Sequence, residues 1–335
     1  MKAMRAAVDW WNRFWFAPAP AAKLGLARGI FFLTAFCFYV FRDFSEWATA
    51  APFWLPMWTF ETLRVPVLPV GWLVALQTIW KIALLLSGFG LATRMSTIAA
   101  AILGTYLLGL PHNFGATQHY DTLVVFALWV MAFARAGDAR SIDAAFGRRA
   151  PEEVAKSALA GEYAWPIQAM WVVTALMFFG AGTSKLRHSG LEWAFSDNLR
   201  LLLVRAYYHV SDGDPLTTFS LVVARHPWLT RAIAAGSLTL ETCYIVTLFS
   251  RRLRPIIGVS GMLFFVGIRA LMGPTFETYL VCGLLLIPWY RLEAAVLRVL
   301  YNAETYAAHA APDDRGTGRM AAAASSPGTG RPAGH

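Results

Sequence analysis

Long apolar runs separated by short basic linkers dominate the pattern of this chain. A membrane-spanning helix needs about 20 mostly apolar residues, and fewer where its ends snorkel. Eight runs fit, at 24–41, 71–92, 95–111, 121–135, 165–184, 231–250, 255–272 and 275–290. They predict an all-α fold, a polytopic transmembrane bundle of about eight spans. Between the first two runs, 52–70 (opening PFWLPMWTF) has too much proline for a helix and too many aromatics for a solvated loop. It is expected to be interfacial or re-entrant. DNLRLLLVRAYYHV (197–210) is amphipathic and is expected to lie on the surface. Residues 1–23 read as an amphipathic basic segment with no signal-peptide cleavage site, and 24–301 as the membrane domain. The stretch 151–163 reads as mobile, and the tail 302–335, rich in Ala, Gly, Ser and Pro, as disordered.

Composition strengthens the membrane reading. Charged residues are 15% of the chain, where a soluble domain carries about 25%, and apolar residues are 57%. The net charge of +9 would suggest nucleic acid in a soluble protein. Here the basic residues cluster in the linkers as topology signals do, so membrane lipids and not nucleic acid are the expected partners. Lys2, Arg5, Arg13 and Lys23, then Arg135, Arg140, Arg148, Arg149 and Lys156, then Arg251, Arg252 and Arg254 fall on one side of eight spans. Both termini are therefore expected in the cytoplasm, with the chain in the bacterial inner membrane; the basic 184–230 linker is discordant. Cys37, Cys243 and Cys282 lie inside apolar runs, and His112 and His119 lack further ligands, so neither a disulfide framework nor a metal site is expected.

Ionisable groups inside membrane segments are costly and face the bundle interior or a wet cavity, unless they snorkel to the headgroups. His112, His119, Asp121, Lys185, Arg269 and Glu277 share one depth, at the outer ends of their runs. They predict an outward-facing polar pocket. Lys81 and Glu241 fall near the middle of their runs and are expected to pair, either as a site or as a structural clamp between helices.

Three stretches carry a family resemblance: QHYDTLVVFALWVMAFARAGDARSID (118–143), FFGAGTSKLRHSGLEW (178–193) and GIRALMGPTFETYL (267–280). In order and spacing they resemble the transmembrane domain of vitamin K-dependent gamma-carboxylase and its bacterial relatives, the HTTM (horizontally transferred transmembrane) proteins. The resemblance implies that Lys185 is the base that deprotonates a reduced quinone of vitamin K or menaquinone type, and that His119 is functionally important beside it. A lysine acts as a base only where desolvation or a neighbouring cation such as Arg269 disfavours its ammonium. Phe178, Phe179 and Trp193 would suit a prenylated quinone. The chain departs from the family at Ser184, where the carboxylase has a second lysine, and at Arg269, where it has a histidine. No large extramembrane domain follows the last run, which puts peptide carboxylation in doubt. The expectation is thus a quinol-dependent lyase or oxygenase acting on an unknown substrate. Its alternatives are a non-catalytic helper that binds lipid, quinone or an exported peptide, and a transporter, which the lack of internal repeats disfavours.

Overall fold

The computed structural model describes residues 2–115, 121–147, 159–208, 215–273 and 276–300. The chain divides into two units, 1–287 and 288–335. In the first, α1 (Lys2–Trp15) precedes α2 (Ala21–Tyr39), the short α3 (Trp58–Thr62), α4 (Val70–Phe89), α5 (Thr93–Gly109), α6 (Thr122–Phe133) and α7 (Ile142–Ala145). Then come α8 (Trp165–Ser189), α9 (Glu192–Phe195), α10 (Asn198–Tyr207), α11 (Phe219–Ala224), α12 (Pro227–Cys243), α13 (Arg254–Leu271) and α14 (Glu277–Gly283). In the second unit the described helix is α15 (Trp289–Leu300). The fold is all-α apart from a two-residue antiparallel pairing of Ala19–Pro20 with Leu159–Ala160.

All eight apolar runs carry helix, yet among the described residues five helices are long and apolar enough to cross a membrane: Ala21–Tyr39, Val70–Phe89, Thr93–Asn113, Gly161–Ser189 and Arg254–Leu271. The other three runs fall short for local reasons. The 12 residues of α6 rise about 18 Å, against about 30 Å of hydrocarbon. Regular α-helix in the 231–250 run stops at Cys243 and gives way to a 3₁₀ stretch, Tyr244–Leu248. In the last run, α14 passes into a 3₁₀ turn ahead of Pro288, which cannot continue a helix. Segment 52–70 does not span: short turns carry the exposed Phe53, Leu55 and Trp58, and it is tied down by Leu55 N–H to the Asn113 carbonyl (2.8 Å) and Met57 N–H to Asn113 Oδ1 (2.7 Å). The amphipathic 197–210 stretch forms α10, with Leu199, Leu203 and Ala206 buried. Of the stretch expected to be mobile, 159–163 is a strand residue pair and a 3₁₀ turn; 151–158 and the tail 302–335 lie outside the described residues.

Helix boundaries follow side-chain chemistry. Pro166, Pro227 and Pro255 stand in the first turns of α8, α12 and α13, where a missing N–H leaves no bond broken. Gly90 ends α4 in the left-handed region, at φ 71°. The start of α5 is capped from a distance: Asp143 accepts from Ala92 N–H (3.0 Å), Thr93 N–H (2.7 Å) and the Thr93 hydroxyl (2.8 Å). Inside the bundle, buried Trp80 of α4 donates its indole N–H to the Ala100 carbonyl of α5 at 3.0 Å.

The basic linkers gather at one end. Arg28, 1% exposed, donates to the Arg140 carbonyl at 2.6 Å, and Arg251 to the Arg13 carbonyl at 3.0 Å. Arg254 reaches the Thr247 carbonyl (2.6 Å) and Gln168 Oε1 (2.9 Å). At the opposite end, Tyr39 donates to buried Asp121 at 2.6 Å. There Gln77 joins the turn after α2 to α4, accepting from Phe44 N–H (2.8 Å) and donating to Asp43 (2.9 Å). The Ser45 N–H and Gln77 together hold the Asp43 carboxyl below its ordinary range.

Asp143→Ala removes the cap of α5 and should lower stability by about 1–2 kcal/mol in detergent, while Asp143→Asn keeps part of it. Thermal unfolding of the two variants beside the wild type measures this; equal losses would show that capping is not what Asp143 contributes.

Candidate ligand site at Lys185

The small residues before Lys185 have a packing role. Along α8, Phe178 stacks on Tyr244 with ring centroids 4.2 Å apart and planes 5° from parallel. One turn later Gly182 faces α12, where an added Cβ would lie 2.9 Å from the Thr242 nitrogen and 3.0 Å from Glu241 Cβ. Only hydrogen fits, so the two helices approach closely, as small residues permit between membrane helices. Gly180, by contrast, would meet nothing within 4 Å. That close approach sets Lys185 against Glu241, with Nζ 2.5 Å from one carboxylate oxygen and 2.6 Å from the other. Glu241 is 3% exposed. After α8 the chain turns at Gly190, and Trp193 in α9 places its ring 4.4 Å from the lysine nitrogen.

Lys185 and Trp193 line a cavity of about 250 Å³, and Glu241, which holds the lysine, is not itself part of the lining. Leu199 and Leu203 of α10, Ile233 and Ser237 of α12, and Phe264 and Ile268 of α13 close much of the rest. The cavity is smaller than the roughly 300–1,000 Å³ of sites that enclose a whole drug-sized molecule. It has room for a ring or a short apolar segment, with one cation and one hydroxyl on its wall.

Of the six side chains expected to share one pocket, five lie among the described residues, and these five separate into distinct places. Lys185 and Trp193 come together. Arg269 instead donates to Glu277 at 2.8 Å and to the Gly273 carbonyl at 3.1 Å, and neither Arg269 nor Glu277 lines the cavity. Asp121 is occupied by Tyr39 and lies 3.5 Å from an Arg42 nitrogen, at the junction of α2 and α6. His112 sits in the 3₁₀ turn after α5, outside the cavity lining, and Phe179 is partly exposed beside the buried Phe178. His119 lies outside the described residues. Shared depth therefore did not mean convergence, because depth carries no information about the order of helices around a bundle.

The Lys81–Glu241 pairing is also corrected. Lys81 donates to the Arg42 carbonyl at 2.8 Å, because the turn after α2 folds back along α4 to reach it. Glu241 takes Lys185 instead. Its role at the site was missed, although the order of the chain held a signal: α8 and α12 are the long helices on either side of the 190–226 excursion, and helices close in sequence tend to neighbour one another.

The Glu241 carboxylate and the Trp193 ring both lie against Nζ. The neighbouring charge expected from Arg269 is not beside the lysine: Arg269 pairs with Glu277, and the charged side chain on Nζ is Glu241. Among the described residues no group of three or more His, Cys, Asp or Glu stands together as a metal site would require.

Lys185→Met leaves the Glu241 carboxylate buried without its counter-ion and should cost about 3 kcal/mol in detergent unfolding. Lys185→Met/Glu241→Leu should recover most of that loss, since an apolar pair of similar volume replaces a buried ion pair at little cost. A double variant as unstable as the single would show that the pair is not the origin. Comparison with protein-family models, with curated proteins and with solved structures gives no match to this chain.

Proposed function

We propose that this integral membrane protein receives, between α8, α12 and α13, an apolar ligand bearing a ring or headgroup oxygen, of the quinone class. The observation that carries the reading is the small apolar cavity with a single charged side chain, Lys185, in its wall, held there by Glu241. An ammonium has three N–H donors and the Glu241 oxygens engage at most two, so a donor remains for a ligand oxygen. Entry from the side fits the exposure of α13: 6% of its span is buried, against 33–44% for the other four. A ring would sit in the cavity and an isoprenoid chain would stay in lipid. The resemblance to the carboxylase membrane domain supports the same ligand class.

Quinol oxidation is a second reading, favoured by the burial of Glu241 as Lys185's partner. A quinol hydroxyl on the Lys185 nitrogen would pass one proton by way of that nitrogen to the Glu241 carboxylate. The quinol anion would then give two electrons and its second proton to oxygen, which takes the first proton back from Glu241 and leaves as hydrogen peroxide beside the quinone. In this form the carboxylate is the base and Lys185 stabilises the anion. Both termini are proposed to face the cytoplasm; on the N-terminal side this is supported by the gathering of Arg13, Arg28, Arg140 and Arg251 at one end of the bundle.

Titration of the full chain in detergent with menaquinone, followed by tryptophan quenching, should show saturable binding. Leu203→Trp, which fills the cavity, should weaken it by about tenfold or more, the scale of losing one buried apolar contact group. Unaltered binding in that variant would remove the cavity as the site. Oxygen uptake with reduced menaquinone separates the two readings. Turnover lost in Glu241→Gln but partly kept in Lys185→Arg supports oxidation, whereas saturable binding without turnover in the wild type supports the binding role.

A further inference from the structure

Helix α1 has an apolar stripe that the bundle does not cover. Met4, Val8, Trp11 and Trp15 recur at helical spacing, and Met4, Val8, Trp10 and Trp11 are 70%, 51%, 47% and 54% exposed. On the opposite face stand Arg5, Asp9, Asn12 and Arg13, all exposed. At 14 residues α1 rises about 21 Å, too short to cross about 30 Å of hydrocarbon. A helix with this division lies along a membrane interface.

Tertiary structure adds a second set of charges to this face. Arg251, in the turn between α12 and α13, donates to the Arg13 carbonyl at 3.0 Å, which sets exposed Arg251 and Arg252 beside the end of α1. Four arginines from segments more than 200 residues apart in sequence thus accompany one carboxylate, Asp9. Guanidinium groups bind phosphate oxygens in a fork, and tryptophans favour the headgroup level.

We infer that α1 and the α12–α13 turn together form a docking surface for anionic phospholipid headgroups. The exposed Met4, Val8 and tryptophans enter the acyl boundary, while Arg5, Arg13, Arg251 and Arg252 face the phosphates. The surface is distinct from the Lys185 cavity, and it does not depend on what that cavity holds. Each arginine near an anionic surface contributes roughly a fivefold preference, so four of them are enough to select anionic over zwitterionic lipid.

The test places the full chain in nanodiscs of equimolar phosphatidylcholine and phosphatidylglycerol, with bromine on the acyl chains of one lipid or the other. Fluorescence lost on changing Trp10→Phe/Trp11→Phe isolates these two indoles from the chain's 14 tryptophans. Brominated phosphatidylglycerol should quench that component about twofold or more over brominated phosphatidylcholine. The preference should vanish in Arg5→Gln/Arg13→Gln/Arg251→Gln/Arg252→Gln. High salt should erase it in the wild type, a second measurement that does not depend on how the variant folds. Equal quenching by the two lipids would overturn the proposal. So would no quenching by either, with a dimer in light scattering then identifying a second copy of the chain as what covers α1.

Discussion

A bilayer interior offers no water to a charge or to a backbone group, and this constraint organises the protein. The Glu241 carboxylate inside the bundle must meet a cation that belongs to the protein. Lys185 meets it at 2.5 and 2.6 Å, and it does so because Gly182, one turn earlier, presents no side chain to α12. The pair and the glycine are one device: the small residue sets the helix separation, and the separation makes the ion pair possible. The same need for internal partners explains why Trp80 crosses from α4 to the Ala100 carbonyl of α5, and why the indole of Trp193 lies against the lysine nitrogen.

Polar contacts tie both ends of the bundle. At one end the basic linkers are bound to carbonyls of neighbouring segments, by Arg28 to Arg140, Arg251 to Arg13 and Arg254 to Thr247. Their heads thereby replace water for carbonyls that helix ends leave open. At the other end Tyr39 pairs with Asp121 and Arg269 with Glu277, while Lys81 and Arg269 also reach carbonyls. Between the two ends, α13 lines the Lys185 cavity on one side and leaves most of its own surface uncovered by the protein. A ligand with a polar ring and an apolar chain matches that division, because each part keeps the surroundings it prefers.

Pairing also changes which chemistry Lys185 can carry. Its nitrogen reaches the cavity already held by the Glu241 carboxylate and against the Trp193 ring. The acceptor in the pair is Glu241, two oxygens wide and buried. The proposed acid–base reading therefore involves the pair and not the amine alone, which also explains why a single-residue reading of the lysine was incomplete.

The linear order of residues decided a good deal here. Runs of apolar residues announced helices at all eight expected places, and the proline-rich 52–70 segment and amphipathic α10 were legible from composition and periodicity alone. Lys185 and Trp193 stood out as polar and amphipathic groups at the end of an apolar run, and they do meet. Partner choice was not legible: Glu241 left Lys81 for Lys185, and Arg269 took Glu277 in place of the lysine. Periodicity and hydropathy are properties of one segment, measured along its own axis. Which helix faces which, and how closely, depends on side-chain volumes at each contact, such as the missing Cβ at Gly182, and those act only once the helices have packed.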